Sequence, residues 1–336
     1  MKRLSLCLLL GFTQALSGVQ AQSVGNWREA NDRVHEAGGW KAYARERADA
    51  TKPAASSAKS KETSFTLDQA IERARTLSPQ IARNLVSVSR EPADYPRLTD
   101  PQRSAITEDQ HLVSGVTTLF YQLLADRDRV ELRAEAAEIS AIAEEVITRM
   151  RKAGNTNDLH AGEMQLAAAK SQEALSAARL SLIDAKEALA LRLQLSGTDP
   201  RLDLAGSLPP PPKQLAVLPL IDRRLLSFFS ESPEVLKRQA AVRKAMAVRD
   251  EAHRMARLYQ DRVLPVQQKI SEETLLHYNG MIVGVFELLK DAEHHASIKE
   301  SHIDALLRYW KSEAELTQTL TTLREHLVNL RRDAWN

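Results

Sequence analysis

The sequence predicts an all-α fold: two long antiparallel coiled-coil helical hairpins related by an internal duplication. Three observations carry this expectation. Gly is only 12 and Pro 13 of 336 residues, a composition for long helices rather than turn-punctuated strands. Apolar residues recur at alternating steps of four and three over long stretches. One order of landmarks occurs twice: short helix, Ser-Pro, long helix, Gly turn, long helix. Charge excludes other classes. The 46 basic and 44 acidic residues give a net +2, without the basic excess of a nucleic-acid binder. A charged fraction of 27% is too high for a polytopic helical membrane protein.

Residues 1–21 read as a signal peptide. Lys2 and Arg3 form the charged start, Leu4 to Leu10 the apolar core, and Val19-Gln20-Ala21 the small-residue cleavage site. Cleavage after Ala21 removes two basic residues and leaves 44 of each sign. It also removes Cys7, the single cysteine, so disulfide, thiolate-metal and Cys-nucleophile chemistry are not expected in the mature chain. The longest later apolar run, Met281 to Leu289, is interrupted by Glu287 and is too short to span a bilayer. An exported protein of the periplasm, associated with the cell envelope or outer membrane, is expected.

Residues 22–48 form a small N-terminal helical element, with Gly38-Gly39 between two short helices and Trp27 and Trp40 docking on the main body. Residues 49–64 are a flexible linker by composition. The first repeat spans 65–196. Thr66 and Gln69 make a capping box, followed by Leu67, Ile71, Ala74 and Leu77 at helical spacing. Ser78-Pro79 restarts a helix to about Val88, and Pro92, Pro96 and Pro101 make 91–101 irregular. A long helix is expected from about Ser104. Its seam runs through Leu112, Val116, Leu119 and Leu123, then Leu132, Ala136, Ile139, Ala143, Val146 and Met150. Gly154 to Asp158 turn the chain. The next helix, about Leu159 to Leu195, carries Leu175, Ala178, Leu182, Ala185 and Leu189 on one seam. A short turn forces the two helices antiparallel.

Residues 197–219, with Pro209 to Pro212, are a stiff linker, and 220–336 form the second repeat. Ile221-Asp222 and Ser232-Pro233 match Leu67-Asp68 and Ser78-Pro79, and Asn279-Gly280-Met281 matches Ala153-Gly154-Asn155. The ascending helix is placed at about 256–278, interrupted by Pro265. The descending helix, about 285–331, ends in Leu316, Leu320, Leu323, Leu327 and Leu330.

Several of these stretches resemble TolC-type outer-membrane efflux proteins. In the first half they are Tyr121-Gln122-Leu123-Leu124-Ala125 and Arg149-Met150-Arg151-Lys152-Ala153-Gly154-Asn155. In the second half they are Leu264-Pro265, Tyr278-Asn279-Gly280, Phe286-Glu287-Leu288-Leu289 and Ala305-Leu306-Leu307-Arg308-Tyr309-Trp310. Gly206-Ser207-Leu208-Pro209 sits where the family joins its halves. The resemblance covers about residues 65–331, and Tyr278 to Leu289 looks most like metal-export members. It implies a homotrimer forming a periplasmic tunnel. The Gly-turn tips would dock a periplasmic adaptor (membrane-fusion) protein that couples to an inner-membrane pump, for export of heavy-metal ions or small toxic solutes. In the family each repeat also carries two membrane strands. No alternating segment stands at 91–103 or between Pro233 and Gly280, so the helical part without an evident β-barrel is expected.

The candidate docking residues are Arg149, Gly154, Asn155 and Asp158 at the first tip, and Tyr278, Asn279, Gly280 and Val283 at the second. Gly154 and Gly280 are expected to supply a positive φ that ends each helix. Asp291 and His295, spaced i and i+4, form a candidate metal pair. No Ser-His-Asp grouping, phosphate loop or metal-hydrolase spacing is found, so no enzyme and no cofactor are expected. The alternative function is a barrel-less periplasmic coiled-coil scaffold or metal-handling protein that does not conduct.

Overall fold

A computed structural model of the chain describes residues 64–85, 98–216 and 232–333. The expected signal peptide, the Trp27/Trp40 element and the linker to residue 63 lie outside the described residues. So do Ile221-Asp222 and residues 86–97, Pro92 and Pro96 among them. The described elements are helices, as the composition predicts. They are α1 Leu67–Thr76, α2 Pro79–Leu85, α3 Asp100–Lys152 and α4 Asp158–Leu193, then a 3-10 turn Pro200–Leu202. The second half has α5 Pro233–Leu258, a π turn Tyr259–Val263, α6 Leu264–Asn279 and α7 Val285–Asp333. The segment Leu275–Val283 belongs to a separate compact unit from the rest of the described chain.

Local chemistry sets the helix starts. The Thr66 hydroxyl accepts from Gln69 N–H, and Gln69 Oε1 accepts from Thr66 N–H at 3.0 Å. Such a cap is worth about 1 kcal/mol. Helix α3 starts at Asp100, four residues earlier than the prolines suggested. Pro101 occupies the first turn, where its missing N–H costs nothing, and Gln102 Oε1 accepts from Thr99 N–H at 2.9 Å. Helix α5 likewise starts on Pro233 and runs to Leu258, well before the ascending helix expected near residue 256. Pro265 ends neither rod. The helix widens into the π turn just ahead of it, and Leu264 N–H reaches back to Tyr259 O.

The register of the helix pairs follows from side-chain links. Helices α3 and α7 join through Gln122 and Lys311 at 2.5 Å, Arg129 and Asp304, and Arg133 and Glu300. Seven residues forward on α3 match seven back on α7, so the two run antiparallel. In the second hairpin, Arg249 lies 3.9 Å from Glu313 and the His253 ring 5.5 Å from that of Tyr309. Four forward again match four back. In the first hairpin, Ser140 and Ser171 hydroxyls meet at 2.9 Å.

The core follows these seams. Leu175, Ala185 and Leu189 of α4 are buried, and so are Leu316, Leu320, Leu323 and Leu327 of α7 against Val235 and Val242. Each fully buried Leu contributes roughly 1.5–3 kcal/mol. The upper seam of α3 holds at Leu112, Val116 and Leu123. Its lower part keeps Ala143 and is otherwise rotated by one position. Ala137, Ser140, Ala143 and Ile147 are buried, while Val146 is 36% exposed. Small Ala and Ser side chains here admit α4 closely, and the larger Ile139 and Val146 are pushed to the flanks.

The Pro-rich linker lies along helices of both halves as an ordered strap. Arg127 donates to Leu204 O and Gly206 O, and Asp128 Oδ2 accepts from Leu208 N–H at 3.1 Å. Trp310 Nε1 donates to Pro209 O at 2.9 Å, and His253 Nε2 meets Pro212 O at 2.7 Å. Tyr121 and Tyr309 pack on either side of Trp310, each ring 5.0 Å away. Burial pushes the Tyr309 hydroxyl up to about 12.

Candidate functional site: the hairpin tips

The first tip is built by helix termination. Gly154 N–H donates to Arg151 O at 3.0 Å and Asn155 N–H to Met150 O at 2.9 Å. These two bonds define a Schellman motif, with Gly154 left-handed at φ 74 and open space where a Cβ would stand. Asn157 then caps α4, its Oδ1 accepting from His160 N–H at 2.9 Å. Asp158 sits in the first turn of α4 and pairs with Arg151 Nε at 2.7 Å across the turn. Arg149 pairs with Glu145 along its own helix. Arg149, Gly154, Asn155 and Asp158 are all exposed, so the expected first-tip residues share one wet, polar surface.

The second tip uses the same motif one residue later than expected. Met281 N–H donates to Tyr278 O at 3.0 Å and Ile282 N–H to His277 O at 2.9 Å. The left-handed residue is therefore Met281, at φ 56, and Gly280 is the preceding cap with no positive φ. The structural counterpart of Gly154 is Met281, which corrects the Gly-to-Gly match. From each left-handed residue the loop runs three positions to its cap, Asn157 or Gly284, and Glu287 Oε2 accepts from Gly284 N–H at 3.0 Å. Asn279 and Gly280 are exposed, and Tyr278 and Val283 are half-buried.

The sequence reading missed the chemistry of the second tip. Met281 is 93% and Ile282 72% exposed, so this tip is apolar where the first is charged. It also missed a ring contact between the two descending helices. His160, in the first turn of α4, lies 5.0 Å from Phe286 in the first turn of α7.

Asp291 and His295 face α6 together, while His294 is exposed on another side. The antiparallel register sets Ser271 opposite Asp291 and Gln267 opposite His295. The hydrogen bonds run diagonally: Gln267 Nε2 donates to Asp291 Oδ1 at 2.9 Å, and Ser271 Oγ meets His295 Nδ1 at 3.3 Å. Gln267 is 2% exposed, which its amide tolerates because Asp291 and Ser271 satisfy it. The cluster is a polar clasp between helices. Among the described residues, no three His, Cys, Asp or Glu side chains are placed to hold a metal ion. No described helix is long and apolar enough to cross a membrane.

No protein-family model and no curated protein matches the sequence. Solved structures do share its fold. The outer-membrane channel OprN superposes with a TM-score of 0.52 at 12% identity, over 78% of this chain and 88% of that one. CusC, described for the conformational changes of folding and transmembrane channel formation, gives 0.52 at 14% identity over 77% and 92%. A membrane protein from Pseudomonas aeruginosa gives 0.50 at 13% identity over 78% and 88%. The chain thus shares a fold with the solved structures of OprN and CusC.

Proposed function

We propose that this chain is an outer-envelope component of a tripartite exporter, docking a periplasmic adaptor through its two hairpin tips. One observation carries the reading: a fold shared with outer-membrane channels over more than three quarters of the chain. Each tip, taken by itself, is exposed and closed by the same backbone motif, which supports a role in recognition. Nothing in the tips performs bond chemistry; their work is recognition. In this reading an inner-membrane pump drives export and the chain acts as a homotrimer. A photo-crosslinking amino acid at Asn155 or Asn279 tests it. Capture of an adaptor-type protein from both tips, and none from the exposed α4 position Leu191, is the expected result. Absence of tip adducts, with the protein recovered as a free monomer, would overturn it.

Helix occupies 100–152, 158–193 and 233–333 almost without a break. That continuity favours a second reading, a scaffold that binds an adaptor without conducting. Membrane fractionation separates the two, because a conduit is recovered embedded and trimeric. The heavy-metal cargo suggested by Tyr278 to Leu289 would pass Asp291 and His295 as a two-donor contact. Calorimetry with copper and zinc, repeated on His295→Ala, tests that part. Equal heats from both proteins would remove the metal assignment.

A further inference from the structure

The π turn Tyr259–Val263 is the one widened turn in the rod formed by α5 and α6, and it lies just ahead of Pro265. Such turns in an otherwise regular helix are frequent at functional sites and kinks. The Tyr259 ring meets the His302 ring of α7 at 6.5 Å. Continuing the register from His253 opposite Tyr309, seven residues on, sets Gln260 opposite His302. Gln260 Oε1 and His302 Nε2 are both shielded from solvent, and neither has a hydrogen-bond partner. Paired buried atoms are the rule in folded proteins, and two orphans on facing elements call for an explanation.

We propose that the π turn and His302 form an acid-sensitive hinge in the second hairpin: the neutral imidazole seats the turn against α7, and protonation releases it. The proposal rests on packing within this chain and is independent of the export reading. A proton on His302 would create a half-buried charge with no free counter-charge to meet it. On α7 itself, Asp304 is paired with Arg129 and Glu300 with Arg133. From α3, Glu131 is 3.8 Å from Arg127. On the rod, Asp261 binds Arg257 at 2.7 Å. These four carboxylates are thus engaged by arginines, and burial already holds the imidazole below its ordinary range. The charged ring gains more from water than from its pocket, and leaving the pocket unseats Tyr259 and the turn.

Amide hydrogen exchange on the whole chain tests this, comparing peptides over 255–266 and 298–306 at about pH 8 and about pH 5. After correction for intrinsic exchange rates, protection of these peptides in the unmodified protein falls about tenfold in acid, as one proton uptake can produce. His302→Gln and His302→Leu abolish that fall, and His326→Gln keeps it. The hinge is overturned if the unmodified protein shows no acid response there, or if His302→Gln retains it. Titration of labelled histidines by NMR decides the matter should either variant misfold. A His302 midpoint at or above the ordinary histidine value removes the proposal.

Discussion

Glycine at position 154 and methionine at 281 occupy the same left-handed site in two copies of one motif. The conformation costs a residue with a Cβ about 1–2 kcal/mol. Gly154→Ala is therefore expected to destabilise by about that amount in urea unfolding. Gly280→Ala, in a right-handed cap whose nearest neighbour would be Leu276 O at 3.4 Å, should stay within about 0.5 kcal/mol. Met281→Gly should raise stability by up to about 1 kcal/mol. The first tip was legible because Gly advertises a positive φ. The second was not, because two backbone bonds to His277 and Tyr278 set the site, and a nearby Gly drew the match one residue off. Titration belongs to this scale too. Burial holds both His302 and His326 below the ordinary value, and Arg238 adds to the effect at His326. The unfolded chain then takes up protons first. Stability is full above about pH 7 and declines as pH falls through the ordinary histidine value toward the depressed ones. A series of urea midpoints from about pH 8 to about pH 5 should show that slope.

The Leu spacing at the end of helix α7 was readable in the sequence. Leu323→Ala, at a fully buried position against α5, should cost about 2–5 kcal/mol. Leu191→Ala, 81% exposed on α4, should change stability by no more than about 0.5 kcal/mol. The α3 seam was only half readable. Hydrophobicity ranks Ile139 and Val146 above Ser140 and Ala137, but close approach of α4 selects the small residues for the interface. Residues 197–219 read as a stiff linker, and the contacts that hold the strap against the helices were not readable, for a related reason. Proline composition announces stiffness, and nothing in it announces that Trp310 and His253 wait for the carbonyls of Pro209 and Pro212. Trp310→Phe keeps the ring and loses the donor, so a cost of about 1 kcal/mol and faster proteolysis within 205–215 are expected.

At the scale of the molecule, resemblance of short phrases pointed to a fold that superposition with OprN and CusC bears out at 12–14% identity. Order of landmarks carried that information where residue identity did not. The chain's two ascending arms differ, however. Helix α3 is regular for 53 residues, whereas the second arm holds a five-residue π turn. An extra residue in one turn sets the helix phase back by about 100° for everything that follows it. Gln267 and Ser271 lie beyond that turn and face α7. Deleting one residue from the stretch would restore an ordinary turn and, because the widened turn absorbs just that residue, leave the stripe of α6 that meets Asp291 and His295 where it stands.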